Sequence, residues 1–154
     1  MDTYKLQHLT GRKLRVFIAI AGRIVPADEY DAGAGTSATA GVVDWALNRL
    51  DPDLRKLFLV FLVLSDFLGV FFGGRTFSNN SAAAQDRQLR WLENCPIKKF
   101  RMGFFGLKSY VCMGYYTRET TWPTFDYQGP HVPDREFPDP VIRLLEQERL
   151  QVVE

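Results

Sequence analysis

The sequence predicts an all-α protein: a small bundle of about five helices, followed by an extended, aromatic and proline-rich C-terminal arm and a short final helix. Apolar residues recur at three- and four-residue steps in successive stretches between residues 14 and 116. Helix start signals precede some of those stretches, Asp51-Pro52-Asp53 most clearly. The period vanishes after Tyr116, where Pro123, Pro130, Pro133, Pro138 and Pro140 interrupt the chain. These observations divide the chain into a bundle, 1–116, and a partner-wrapping arm with its terminal helix, 117–154.

Composition agrees with one domain. A chain of 154 residues, 46% hydrophobic and 14% aromatic, can bury a sizeable core. Nineteen Lys and Arg against eighteen Asp and Glu leave a formal net charge of +1, which removes the broad electrostatic case for nucleic acid. Cys95 and Cys112 are too few for a structural zinc site, and His8 and His131 lie far from them in sequence; two buried free thiols are expected, the alternative being a Cys95–Cys112 pair if the fold brings them together.

The first helix is expected from Leu14, Phe17, Ile18, Ala21 and Val25, with Thr10 as its cap and a break near Pro26. Arg12, Lys13 and Arg15 before VFIAIAG resemble the start of an export signal. The apolar run is only about seven residues, at the lower limit for such a signal, and Arg23 soon interrupts it. A cytoplasmic protein is therefore expected, or a periplasmic one if a partner carries the signal. Residues 27–38 read as a connector with nothing to pack, in which Asp28, Glu29 and Asp31 form a solvated loop. A second helix over 39–50 is expected from Val42, Val43, Ala46, Leu47 and Leu50.

The third helix opens with Asp51 as cap, Pro52 in the first helical position and Asp53 at the positive end of the helix dipole. It carries LFLVFLVLSDFLGVFF, Leu57 to Phe72, apolar on almost every face. A span needs about twenty predominantly apolar residues, whereas this run holds Asp66 and is closed by Gly73-Gly74. A chain of this size hardly surrounds such a helix, so one face is expected on the other helices and the opposite face under another protein. A membrane is the less favoured cover. A fourth helix over 81–94 places Leu89 and Leu92 inward with Trp91 beside them. A fifth runs from Pro96, in its first turn, to about Tyr116, with a stripe of Ile97, Phe100, Phe104, Leu107, Val111 and Tyr115. Gly103 and Gly106 suggest close approach of another backbone.

The arm carries Trp122, Phe125, Tyr127 and Phe137 with neither a helical nor an alternating period. Linkers seldom carry a large aromatic every few residues, so an ordered arm docked on a partner is expected. Val141, Ile142, Leu144 and Leu145 of a short helix over 139–150 are placed on the same partner. No dinucleotide, P-loop, zinc-protease, C-x-x-C or haem-attachment motif occurs. No catalytic, cofactor or metal residue is therefore assigned, and His131 reads as an interface histidine.

Ile24-Val25-Pro26-Ala27-Asp28, the Gly/Ala loop, GVVDWALNRLDPDLRK from Gly41 to Lys56, and above all GYYTRETTWPTFDYQGP from Gly114 to Pro130 resemble the gluconate 2-dehydrogenase subunit 3 family. The likeness covers most of residues 13–133 and is most distinctive in its Gly-Tyr-Tyr, Trp and Tyr-x-Gly-Pro succession. It implies a small, or gamma, subunit without a redox centre. Its partner would be a large flavoprotein of the glucose-methanol-choline (GMC) oxidoreductase type, which holds FAD and the catalytic histidine and oxidises a sugar, sugar acid or alcohol. A cytochrome or iron-sulfur subunit often passes electrons onward in such complexes. The implied role is folding and stabilisation of the large subunit. Export of the partner, a role of many family members, depends on a twin-arginine signal, and Arg12-Lys13 departs from that pattern.

The expected interface anchors are Leu57, Phe58, Phe61, Leu62, Phe67 and Phe71 of the third helix and Tyr115, Tyr116, Trp122, Phe125, Tyr127 and Phe137 beyond it, with Tyr115 divided between interface and core. Two other readings are a membrane-associated anchor subunit and an independent ligand-binding bundle built on Asp66, His131 and the aromatics.

Overall fold

The structure is a computed structural model and describes residues 5–128, leaving aside the side chain of Thr124. The described chain is helical: α1 Arg12–Ile24, α2 Ser37–Arg49, α3 Pro52–Gly73, a 3-10 turn Phe77–Asn79, α4 Ala82–Glu93, α5 Lys98–Tyr116 and a 3-10 helix Glu119–Phe125. Phe137, His131 and the expected final helix over 139–150 lie outside the described residues.

The helix ends follow local chemistry. Asp51 Oδ1 accepts from the Asp53 and Leu54 N–H groups, Pro52 occupies the first turn, and Gly74 closes α3 in the left-handed conformation. Thr36 caps α2 through its hydroxyl, and Ser81 does the same for α4. The expected cap of α1 is corrected. Gly11, at φ 53 and ψ −119, is the residue before the helix, and Thr10 contributes its carbonyl to the Lys13 N–H. A side chain at position 11 would strain that backbone, so the threonine is held one residue outside the cap position. Pro96 likewise lies before α5, whose N-terminal flank is Ile97.

α1 touches every other α-helix and forms the centre of the bundle, burying Val16, Phe17, Ile20 and Ala21. Phe17 and Ala21 were expected inward. Leu14 and Ile18 are only partly covered, because neighbours on several sides rotate the buried arc toward Val16 and Ile20. α3 and α5 run antiparallel: Phe58 meets Tyr110 edge to face at 5.2 Å, and Phe61 meets Phe100 at 6.4 Å. Gly103 makes room for the Phe61 ring, not for another backbone, and Gly106 faces open space. α2 lies against the other end of α5, where Gly114 abuts Thr39 and Val43.

α3 is held to α4 and the turn before it by polar groups as well as packing. Gln88 Nε2 donates to Ser65 O at 2.6 Å, and Gln85 Nε2 donates to Phe77 O at 2.8 Å. A Cβ on Gly69 would lie 2.2 Å from the Phe77 nitrogen and 2.7 Å from the Thr76 carbonyl carbon. Backbone contacts of that kind do not relax by rotamer change. Gly69→Ala is therefore expected to lower the unfolding free energy by about 2–3 kcal/mol, read as a reduced urea midpoint with an unchanged m-value.

Residues 27–38 are not an unpacked connector. Gly33 and Ala34 are buried, and the Ala34 N–H donates to Val25 O. Gly33 stands at φ 67, where a Cβ would come 2.5 Å from Val25 O. The start of the arm also differs from expectation. Residues 119–125 form a 3-10 helix, and the preceding Arg118 is buried with its Nη1 donating to Gly33 O at 2.6 Å.

Candidate partner interface

α3 divides its apolar residues between two sides. Phe61, Leu62, Ser65, Asp66 and Gly69 are buried against the bundle. Leu57, Val60, Leu64, Phe67 and Phe71 are exposed, Phe71 at 85% of its surface, and Leu54 and Val70 border them. Their steps of three, four, three and four residues form one stripe along the helix. The division arises because α1, α4, α5 and the Phe77–Asn79 turn all pack on one side of a helix that is apolar on both.

Of the expected anchors on α3, Leu57, Phe67 and Phe71 stand on this stripe. Phe61 and Leu62 are corrected to core residues, at 9% and 0% exposure, and Phe58 is mostly taken up by Tyr110. The residues missed are Val60 and Leu64, which continue the stripe. Their signal was the 57-60-64-67-71 spacing itself. It was hidden because the intervening positions are apolar too.

The arm builds a second cluster. The Tyr116 ring meets Tyr115 at 5.1 Å and Phe125 at 5.3 Å, while Trp122 meets Tyr127 at 5.3 Å, all edge to face. Trp122 Nε1 donates to Tyr116 O at 3.0 Å. Tyr116, Phe125 and Tyr127 each keep about half of their surface exposed, whereas Tyr115 is a core residue. Burial, together with the charge and hydrogen bond of the Asp31 carboxylate, pushes the Tyr115 hydroxyl up to about 12. α5 adds a smaller exposed pair, Met102 and Phe105.

Electrostatics along α3 are set by α1. Arg12 Nε and Nη2 donate to Asp66 Oδ2 at 3.0 and 2.6 Å, and the same guanidinium lies 4.2 Å from the centre of the Phe67 ring. Ser78 donates to Asp66 Oδ1 from its N–H at 3.0 Å and its hydroxyl at 2.9 Å. Burial opposes ionisation of Asp66, but the Ser78 and Arg12 donors outweigh it and hold the carboxyl below its ordinary value. With the folded pKa depressed, Asp66 adds stability above the unfolded carboxyl pKa of about 4, and that stability is lost as pH falls through the lower folded value. Arg12 is 41% exposed, so solvent weakens the pair. Asp66→Asn is expected to cost about 2 kcal/mol at neutral pH. In chemical melts across pH, its difference from the parent should shrink as pH falls below the unfolded carboxyl pKa and through the lower folded one.

Asp66 is thus a buried carboxylate held by Arg12 and Ser78. Among the described residues no group of three or more His, Cys, Asp or Glu side chains is placed to hold a metal ion. Cys95 and Cys112 are free thiols, Cys95 buried and Cys112 partly so. The fold and its exposed surfaces define a class: an all-helical bundle with an uncovered apolar helix face and an aromatic cluster. In comparison with known proteins, the chain matches no family model, no curated protein and no solved structure.

Proposed function

We propose that this chain is a non-catalytic subunit that stabilises a larger protein by docking on it through α3. The observation that carries the reading is the exposed stripe Leu57, Val60, Leu64, Phe67 and Phe71. Aromatic and aliphatic side chains in such a row, left in water, make a contiguous exposed apolar patch of the kind that marks an interaction site. Set against a complementary surface, they supply the desolvated anchors that dominate binding energy. The half-exposed Tyr116, Phe125 and Tyr127 offer further anchors.

The resemblance to gluconate 2-dehydrogenase subunit 3 supplies the partner in this proposal: the large, FAD-carrying GMC-type subunit of a sugar, sugar acid or alcohol dehydrogenase. FAD and the catalytic groups then reside in the partner, an electron-transfer subunit such as a cytochrome completes the complex, and this chain acts by mass action on the folded state of the large subunit. Co-expression with the large-subunit gene and purification on a tag carried here is expected to yield a yellow complex with flavin absorbance. Leu64→Asp with Phe71→Asp, both at exposed positions, is expected to weaken that association at least about thirtyfold, the loss of a single strong anchor. A soluble, colourless monomer that retains nothing from the co-expressing cells would sink the proposal.

One observation favours a second reading. α3 is long and apolar enough to cross a membrane, and most of its apolar stretch is not buried by the rest of the bundle. Spanning is disfavoured because α4 packs along α3 and carries exposed Arg87, Arg90 and Glu93, which would enter the hydrocarbon with it. Peripheral attachment through the stripe is the surviving form, and it predicts release from membranes by detergent but not by salt.

A further inference from the structure

An open groove of about 590 Å³ runs beside the N-terminal half of α3. Its walls include the apolar Leu59, Val60 and Leu64, and its charged lining is Lys13 from α1 with Arg55 and Lys56 from α3, without a carboxylate. The ion pairs among the described residues engage Arg12, Arg23, Lys108 and Arg118 and leave these three cations without an acidic partner. Asp51, at the start of α3, is committed to its cap.

The stripe has the spacing of a coiled-coil seam. With Leu57, Leu64 and Phe71 in the first core position and Val60 and Phe67 in the second, Lys56 falls at a flanking position, where a partner helix presents its own charges. Val63 and Val70 occupy the next two equivalent flanking positions, so charge is concentrated at one end of the seam. Resting on the docking role of α3, we propose that the partner element seated here is an amphipathic helix whose apolar stripe is bordered by carboxylates at the end that meets Lys13, Arg55 and Lys56. A second copy of this chain fits poorly. In parallel it would set these cations against themselves, and in antiparallel it would set them against the apolar Phe67 and Phe71.

The test uses the full chain and two fluorescein-labelled designed helices of three heptads, with leucine at both core positions. One has glutamate at the flanking positions and the other lysine. Fluorescence anisotropy is expected to show the glutamate helix bound at least about tenfold tighter, with the advantage falling as salt is raised. Lys13→Glu with Lys56→Glu should reverse the preference, and circular dichroism should be unchanged; Arg55 is left in place because its guanidinium donates to the Leu47 and Asn48 carbonyls at the end of α2. Equal affinity for the two helices, or no effect of the charge reversal, overturns the acidic-partner inference. If Leu64→Asp then abolishes binding of both helices, docking on α3 itself stands. If Leu64→Asp changes neither, the docking role falls with it. Binding to phosphatidylglycerol vesicles that the glutamate helix does not displace also overturns the inference, in favour of an anionic bilayer.

Discussion

Asp44→Ala is expected to lower the unfolding free energy by about 3–4 kcal/mol, a large fraction of a small domain's stability. The Asp44 side chain is fully buried in α2, and it accepts from three successive backbone N–H groups: Gln7 at 2.8 Å, His8 at 2.8 Å and Leu9 at 2.6 Å. These bonds fold the residues before α1 onto the bundle and seat Leu9 in the core. Alanine leaves the buried Leu9 N–H without its acceptor, whereas water can reach the more exposed Gln7. Asparagine retains one acceptor oxygen, so Asp44→Asn should cost only about 1–2 kcal/mol. Denaturant melts of the two variants measure the difference. Faster hydrogen exchange at Leu9 would locate the damage in the N-terminal segment.

Arg118→Ala is the second change expected to have a large effect, about 3 kcal/mol. Arg118 is 1% exposed, donates to Gly33 O, and approaches Asp31 Oδ2 at 3.4 Å while its guanidinium carbon lies 5.5 Å from the centre of the Tyr115 ring. Removing it empties a large side-chain volume and deprives a mostly buried carboxylate of its cation. Asp31 keeps some contact with water, which holds the cost at the lower end for a broken buried pair. Arg118→Lys should recover less than half, because an ammonium cannot reproduce the planar fork that serves both Gly33 O and Asp31. Limited proteolysis should also cleave earlier near residues 117–125, since Arg118 fastens this segment to the loop before α2.

The helices themselves were legible. Asp51-Pro52-Asp53 placed the start of α3 because cap, proline and acidic first turn are local signals that act within four residues. Leu89, Leu92, Phe104, Leu107 and Val111 were legible as core because their helices carry polar groups on the other side. On α3 the apolar period had no polar contrast to stand against. An all-apolar helix announces that something must cover it, but not which half its own chain covers. Phe61 and Leu62 were therefore counted with Leu57, Phe67 and Phe71, and only packing separates them.

The polar anchors were less legible still. Asp44 sits within Val42-Val43-Asp44-Trp45-Ala46-Leu47, where a carboxylate in an apolar run was the available signal of a buried acceptor. Its partners lie more than thirty positions away in sequence. Arg118 occurs in a stretch without any period, and nothing in Thr117-Arg118-Glu119 marks it as the most deeply buried arginine of the described residues.

By itself the sequence determined that the described chain is helical, where α3 begins, and that α3 carries more apolar surface than a bundle of this size can cover. Those properties follow from spacing, capping and composition, which are local. Only the tertiary structure decided that Leu57, Val60, Leu64, Phe67 and Phe71 are the uncovered row, that Asp66 is buried and pairs with Arg12, and that the loop before α2 is packed. Each depends on which helices become neighbours, and that choice is made by long-range packing and by buried polar groups whose partners are distant in sequence.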